Sequence, residues 1–296
     1  MLRTRLWMGA ILGLLGLGIL VVDHQFAPWY PILGLTVLGI GLAAARELRM
    51  LLPLSYRPHT VVTYTVLTIW LLSHWLRPIL PFWLPVSEVQ LGLLGSLVLV
   101  IFISEIAIYR TAGEVTLRIS ATFLILIYIG FLGGCLGHLR FLDGPTPSLF
   151  GIPFDFGALA LAFAFFVPKA GDIGAYFAGR LLGRHRLAPL ISPKKTWEGA
   201  IGGFAGAIAA TYGLAQLTPL FDERLGVTLA FGIVLAVAGQ LGDLAESVIK
   251  RDGHSKDASQ TVPGFGGVLD VIDSILFAAP VTLAWLSVLV RWTANS

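Results

Sequence analysis

Nine apolar runs, each long enough to carry a helix across a hydrocarbon layer, occupy most of this 296-residue chain. A core roughly 30 Å thick takes about 20 helical residues, and backbone groups inside it find no water, so each crossing must satisfy its own hydrogen bonds as a helix. The runs fall at approximately 7–22, 28–45, 61–80, 89–109, 118–138, 157–178, 200–219, 227–247 and 270–290. An all-α, polytopic integral membrane protein is therefore expected. The composition agrees, with only 12% charged residues where soluble domains have about 25%.

The basic residues test this topology independently, because lysine and arginine collect in short cytoplasmic loops. With the N-terminus inside, fifteen of the twenty cationic residues lie in inner segments. These are Arg3, Arg5, Arg46, Arg49, Arg57, Arg110, Arg118, Arg180, Arg184, Arg186, Lys194, Lys195, Lys250, Arg251 and Lys256. Arg77, Arg140, Arg224 and Arg291 lie outside, and Lys169 falls within a span. Nine helices with a cytoplasmic N-terminus and an outer C-terminus is the expected arrangement. Trp29, Tyr30, Trp83 and Trp292 fall near span ends, where amphipathic rings prefer the interface.

Met1 to Val22 has the charge and apolar core of a secretory signal, but no small-residue cleavage pattern follows at Asp23 to Pro28. A retained first helix is expected. The single cysteine, Cys135, lies in an apolar run, which excludes an intrachain disulfide. A net charge of +3 gives no reason to expect a nucleic-acid partner. Residues 1–156 carry mostly plain spans, whereas the unusual polar segments lie between Lys169 and Ser274. The expected division is an N-terminal helical part, 1–156, and a C-terminal part, 157–296, that carries the chemistry.

The first polar segment runs from Lys169 to Ala200 as KAGDIGAYFAGRLLGRHRLAPLISPKKTWEGA. Its glycines 171, 174, 179 and 183 let a helix or a ligand approach the main chain, and small residues in membrane helices commonly serve packing. In ISPKKTWEGA, Ser192 is placed to cap a helix with Pro193 at its first position. Lys194 and Lys195 would then stand at the positive end of that helix, an anion site.

The second segment, Gly242 to Ser274, holds six carboxylates and three cationic side chains. On a helix, Asp243, Glu246, Ser247 and Lys250 share one face, and so do Asp270, Asp273 and Ser274. A charge at the bilayer centre costs about 2.5–3.5 kcal/mol on insertion scales, so these groups should be paired, hydrated or bound to a cation. Oxygen ligands without histidine or cysteine favour a hard ion such as Mg²⁺. Between the two faces, Pro263, Gly264, Phe265, Gly266 and Gly267 form a turn whose amides could cradle phosphate oxygens. Helix-end salt bridges to Lys250, Arg251 and Lys256 are the plain structural alternative.

Four motifs in this order, DIGAYFAGR, ISPKKTWEG, ESVIKRDGHSKD and PGFGGVLDVIDS, resemble the phosphatidate cytidylyltransferase (CDP-diacylglycerol synthase) family. The dense match covers about a third of the chain, from Asp172 to Ser274. Lys250, Arg251, Lys256 and Asp257 keep the family spacing. The chain departs from the pattern at Phe265, where the family commonly has histidine, and at Val271, where it has arginine. Lys169 belongs to no transferable part of the pattern.

The resemblance implies a nucleotidyltransferase of phospholipid biosynthesis. Its reaction is CTP plus phosphatidate giving CDP-diacylglycerol and pyrophosphate, with Mg²⁺ required and room for a second cation. It implies Asp243, Asp270 and Asp273 as metal ligands, with Lys250 also in the catalytic set. Lys194, Lys195, Lys250 and Lys256 become phosphate clamps, and Arg180, Ser192, Ser247 and Arg251 further substrate contacts. The implied location is the inner membrane, with the site facing the cytoplasm. A homo-oligomer stays open. Two other classes fit parts of the sequence: a CTP-using membrane enzyme acting on a lipid alcohol, and an ion-coupled transporter. A transporter should repeat the polar pattern in its N-terminal half, where Glu105 is the one acid expected to lie deep.

Overall fold

The computed structural model describes residues 2–80, 85–109 and 113–294, with side chains from Trp7 onward. Trp83 and Arg110 lie outside the described residues, as do the side chains of Arg3 and Arg5. The helices are α1 (Leu2–His24), α2 (Pro31–Leu51), α3 (Thr60–Ser73), α4 (Val86–Ile108) and α5 (Val115–Ile125). A π-helical turn, Leu126–Phe131, joins α5 to α6 (Leu132–Arg140). Then come α7 (Phe156–Leu182), α8 (Trp197–Ala215), α9 (Leu225–Asp252) and α10 (Val268–Ala294). Two short hairpins interrupt them, β1 (Ser148–Leu149) with β2 (Ile152–Pro153), and β3 (Arg186–Ala188) with β4 (Ser192–Thr196).

Each of the nine expected runs falls on helix, α5 and α6 together forming one of them. Among the described residues, seven helices are long and apolar enough to cross a membrane. The protein is thus a mostly helical, multi-pass membrane protein. The other two runs fall on α3, which at 14 residues extends only about 21 Å at 1.5 Å per residue, and on the 19-residue α8. Large apolar side chains lie exposed on α1 and α4, including Leu14, Leu15, Leu91, Ile103 and Ile106, as a lipid-facing surface requires.

The chain divides into two compact units, residues 1–137 with 253–271, and residues 138–252 with 272–296. In the first, the buried Asp23 caps α2: its Oδ1 accepts from Ile32 N at 2.8 Å and its Oδ2 from Leu33 N at 3.2 Å. Pro31, which has no N–H to satisfy, starts that helix. Val66, Trp70, Leu97, Ile101 and Leu126 make a buried apolar cluster. Glu105 is deep, as expected, and Arg118 Nη2 donates to its Oε2 at 2.8 Å. It is not the one deep acid of the N-terminal half, because Asp23 and Glu47 are also buried. Both accept hydrogen bonds from helix-start amides, a role hydropathy does not reveal.

The second unit is built on close approach of α7 and α8. A Cβ on Gly206 would meet the Ala170 carbonyl oxygen at 2.5 Å, and one on Gly171 would meet the Gly203 oxygen at 3.4 Å. Packing of small residues is how membrane helices associate where lipid leaves no hydrophobic drive. Phe163, Phe231 and Trp285 extend the core, with ring centroids 5.2 Å and 5.3 Å apart in succession.

Candidate active site

Two glycines bring α9 against its neighbours within the second unit. A Cβ on Gly239 would lie 3.0 Å from the Pro168 side chain, and one on Gly242 only 2.5 Å from the Asp273 carbonyl oxygen. Absence of side chains there allows the backbone of α9 to pass directly beside α10. Asp243, next to Gly242, and Glu246, one turn on, thereby meet Asp273. One carboxylate oxygen from each of these three residues lies within 4.8 Å of the others. Glu246 and Asp273 are buried, and Asp243 is partly exposed.

Cations surround this group. Lys195 Nζ reaches Asp243 Oδ2 at 2.8 Å, and the buried Lys250 pairs with Glu246 one turn back on α9. Lys169 Nζ, on α7, lies 3.1 Å from Asp172 Oδ2 and 3.8 Å from Asp273 Oδ1, and donates to Ser274 Oγ at 2.8 Å. Ser247 is buried on the same stretch of α9. An oxygen-only set of carboxylates suits a hard divalent ion, and the adjoining lysines suit phosphate.

The segment around Ser192 departs from expectation. Ser192–Thr196 is a strand paired with Arg186–Ala188, in the register Arg186 to Thr196 and Ala188 to Ser192. The helix begins after it, and its cap is Thr196, whose Oγ1 accepts from Gly199 N at 3.1 Å. Ser192 and Pro193 are therefore not the cap and first position of a helix. Glu198 explains the shift: its carboxylate folds back onto Arg184 N (3.1 Å) and His185 N (3.2 Å), tying the β3 end of the hairpin to the first turn of α8. Those two amides, with His185 Nδ1 at 2.6 Å, hold the Glu198 carboxyl down at about 2. Lys195 thus reaches Asp243 from a strand. Lys194 is exposed on that strand, and Arg180 is exposed at the end of α7 with its Nη1 donating to Tyr176 Oη at 3.0 Å. Arg251 donates through Nε to the Ile191 carbonyl at 3.0 Å, bracing the turn of the hairpin.

Within the first unit, the segment that enters α10 is internally bonded. Asp270 Oδ2 accepts from Ala258 N at 2.9 Å and Gly267 N at 2.7 Å. The amides of Phe265 and Gly266 both donate to the Val262 carbonyl, and Val262 N donates to Gly266 O at 2.7 Å. The glycine turn expected to cradle phosphate has thus committed the amides of Phe265, Gly266 and Gly267 to its own fold. Glu47, which lies on α2, holds the same segment. Its Oε1 accepts from Ser259 Oγ (2.6 Å), Thr261 Oγ1 (2.7 Å) and Val268 N (3.0 Å), and its Oε2 from Leu269 N (2.8 Å). Lys256 and Asp257 are exposed, and Phe265 and Val271 are half-buried.

Sequence reasoning gave no role to Glu47, which holds the segment entering α10 in the first unit, and assigned neither Asp172 nor Glu246 as a ligand. For Glu246 the signal was its place three residues after Asp243, and for Asp172 its position at the head of DIGAYFAGR. For Glu47 there was none, because its partners lie more than 200 residues away in sequence.

Together these features define a multi-pass membrane protein with a carboxylate and lysine site on helices α7, α9 and α10, a class suited to binding metal and phosphate. The chain belongs to the cytidylyltransferase family, whose sequence model matches residues 3–289. It is similar to the phosphatidate cytidylyltransferase of Brucella suis, 42% identical over 154 residues, which is 52% of each chain. The Haemophilus influenzae phosphatidate cytidylyltransferase is 40% identical over 127 residues, 42% of this chain and 44% of that one. The Synechocystis protein of that name is 39% identical over 178 residues, 55% and 60% of the two chains. The chain spans about half the length of these curated relatives.

Proposed function

We propose that this protein transfers the cytidylyl group of CTP to phosphatidate, forming CDP-diacylglycerol and releasing pyrophosphate. The observation that carries the reading is the meeting of Asp243, Glu246 and Asp273 with Lys195 and Lys250. The family membership and the relatives' names support the same substrates.

In the reaction, a phosphate oxygen of phosphatidate forms a bond to the α-phosphorus of CTP, and the bond to the β-phosphate oxygen breaks. The attacking phosphate is already anionic near neutral pH, so no strong base is needed and positioning with charge neutralisation dominates. Asp243, Glu246 and Asp273 would hold Mg²⁺, with Asp270 one turn before Asp273 on α10 as a further ligand carried by the motif. When bound, the ion supplies positive charge to the reacting phosphates and the leaving pyrophosphate. Lys195 leaves its pair with Asp243 to bind the triphosphate, beside Lys194. Lys250 holds Glu246 in place and faces the lipid phosphate, while Arg251 fixes the hairpin that carries both strand lysines. Lys256, Arg180, Ser192 and Ser247 complete the substrate contacts. The proposed topology is nine crossings with the N-terminus inside and the C-terminus outside. It puts the site on the cytoplasmic face of the inner membrane, where CTP meets a lipid headgroup.

The test is purified protein with phosphatidate, labelled CTP and Mg²⁺, followed for a lipid-extractable cytidine product and pyrophosphate. Product formed with a lipid alcohol but not with phosphatidate would move the protein to another acceptor class. No product with either would end the reading.

A further inference from the structure

Lys169 lies near the middle of an expected span, and neither the family motifs nor the proposed reaction uses it. Its surroundings are specific. The ammonium donates to Ser274 Oγ and to Asp172 Oδ2, and Ser274 Oγ donates in turn to Asp172 Oδ2 at 3.3 Å. Asp273 is shared, with its Oδ1 lying 3.8 Å from Lys169 Nζ while the residue also belongs to the group with Asp243 and Glu246. Four carboxylates, Asp172, Asp243, Glu246 and Asp273, are thus met by the ammonium groups of Lys169, Lys195 and Lys250. Lys195 sits partly exposed on a strand and Lys250 pairs with Glu246 on its own helix. Lys169 differs from both, because it connects α7 to Asp273 on α10, a carboxylate that the metal set uses.

We infer that the Lys169 ammonium is a tethered substitute for a second cation, so that this site takes a single divalent ion. An ammonium is a compact, strongly hydrated point charge with three donors. Held between Asp172 and Asp273, it supplies the charge that a second ion would bring. It also ties Asp273 to Asp172 and Ser274 through one ammonium. Removing the ammonium leaves Asp172 and Asp273 with an uncompensated charge in a membrane helix, which a free cation should then neutralise.

The inference rests on Asp243, Glu246 and Asp273 holding a divalent ion, and one experiment separates the two. Full-length protein in detergent, with choline as the only monovalent cation, is titrated with Mn²⁺, and free Mn²⁺ is read by electron paramagnetic resonance. Binding is counted above the background of Asp243→Asn. One Mn²⁺ per chain is expected for the unaltered protein and for Lys169→Arg. Two are expected for Lys169→Ala, with methylammonium displacing the second. Lys169→Gln is read the same way if the alanine variant does not survive solubilisation. Two ions in the unaltered protein, or one in a folded neutral variant, overturns the tethered-cation role while leaving the metal set standing. No ion in the unaltered protein overturns the metal set itself.

Discussion

In the first compact unit, Glu47 accepts hydrogen bonds from the amides of Val268 and Leu269 and from the hydroxyls of Ser259 and Thr261. In the second, Asp243, Glu246 and Asp273 turn toward one another and toward lysines. A carboxylate that accepts several N–H bonds is stabilised in its charged form without a counter-ion. Crowded carboxylates are not, and they persist where binding repays the repulsion. The contrast teaches that acid content alone does not mark a site. What matters is whether the oxygens face donors or one another.

The largest effect should come from neutralising the crowded group. Asp273→Asn is expected to lower turnover by about 10²-fold to 10³-fold or more, the range for loss of one transition-state stabiliser. Its thermal midpoint should hold or rise as like-charge crowding is relieved. A variant that lost stability and kept its turnover would reverse the contrast. Asp270→Asn sharpens it further, because the amide oxygen can still accept from Ala258 and Gly267 while the charge is gone. Turnover is expected to fall by orders of magnitude with membrane insertion intact, and near-normal activity in detergent would remove Asp270 from the metal ligands.

Glu47 should show the opposite balance. Glu47→Ala leaves Val268 N and Leu269 N, with the Ser259 and Thr261 hydroxyls, without this acceptor, and the buried Leu269 amide alone costs about 1–3 kcal/mol when orphaned. A lower thermal midpoint and faster proteolysis of the 253–267 segment are expected. Unchanged stability would deny the anchoring role.

Smaller still is Lys195→Ala, expected to raise the CTP concentration for half-maximal rate about tenfold, with kcat changed less, as loss of binding shared by substrate and transition state requires. An unaltered CTP dependence would detach Lys195 from the triphosphate.

These contrasts also mark how far the sequence could be read. Helix positions followed from hydropathy because lipid imposes helices wherever apolar runs are long enough. The meeting of Asp243 with Asp273 was implicit in two acidic faces, but its cause, Gly242 against the Asp273 carbonyl, is a packing event with no local signature. The strand at Ser192–Thr196 was missed because Ser-Pro reads as a helix start, and Thr196 wins the cap through its bond to Gly199. Glu47 was invisible because its value comes entirely from distant amides.

The smallest predicted effect concerns the hairpin that carries Lys195. Glu198 has its carboxyl lowered from 4.5 to about 2 by the Arg184 amide first and then by His185. A depressed acid contributes its stabilisation above its unfolded value and loses it as the pH falls through the folded one. Tying of the hairpin to α8 should therefore be constant from pH 7 to about 4.5 and weaken between about 4.5 and 2. Hydrogen exchange across residues 183–197, corrected for the intrinsic pH dependence of exchange, reads this directly. Protection should fall only in that acid window, and Glu198→Gln should be less protected above about pH 4.5, without the step. A step shared by both proteins would assign the acid sensitivity to another group and leave the hairpin held by its strand pairing and the Thr196 cap.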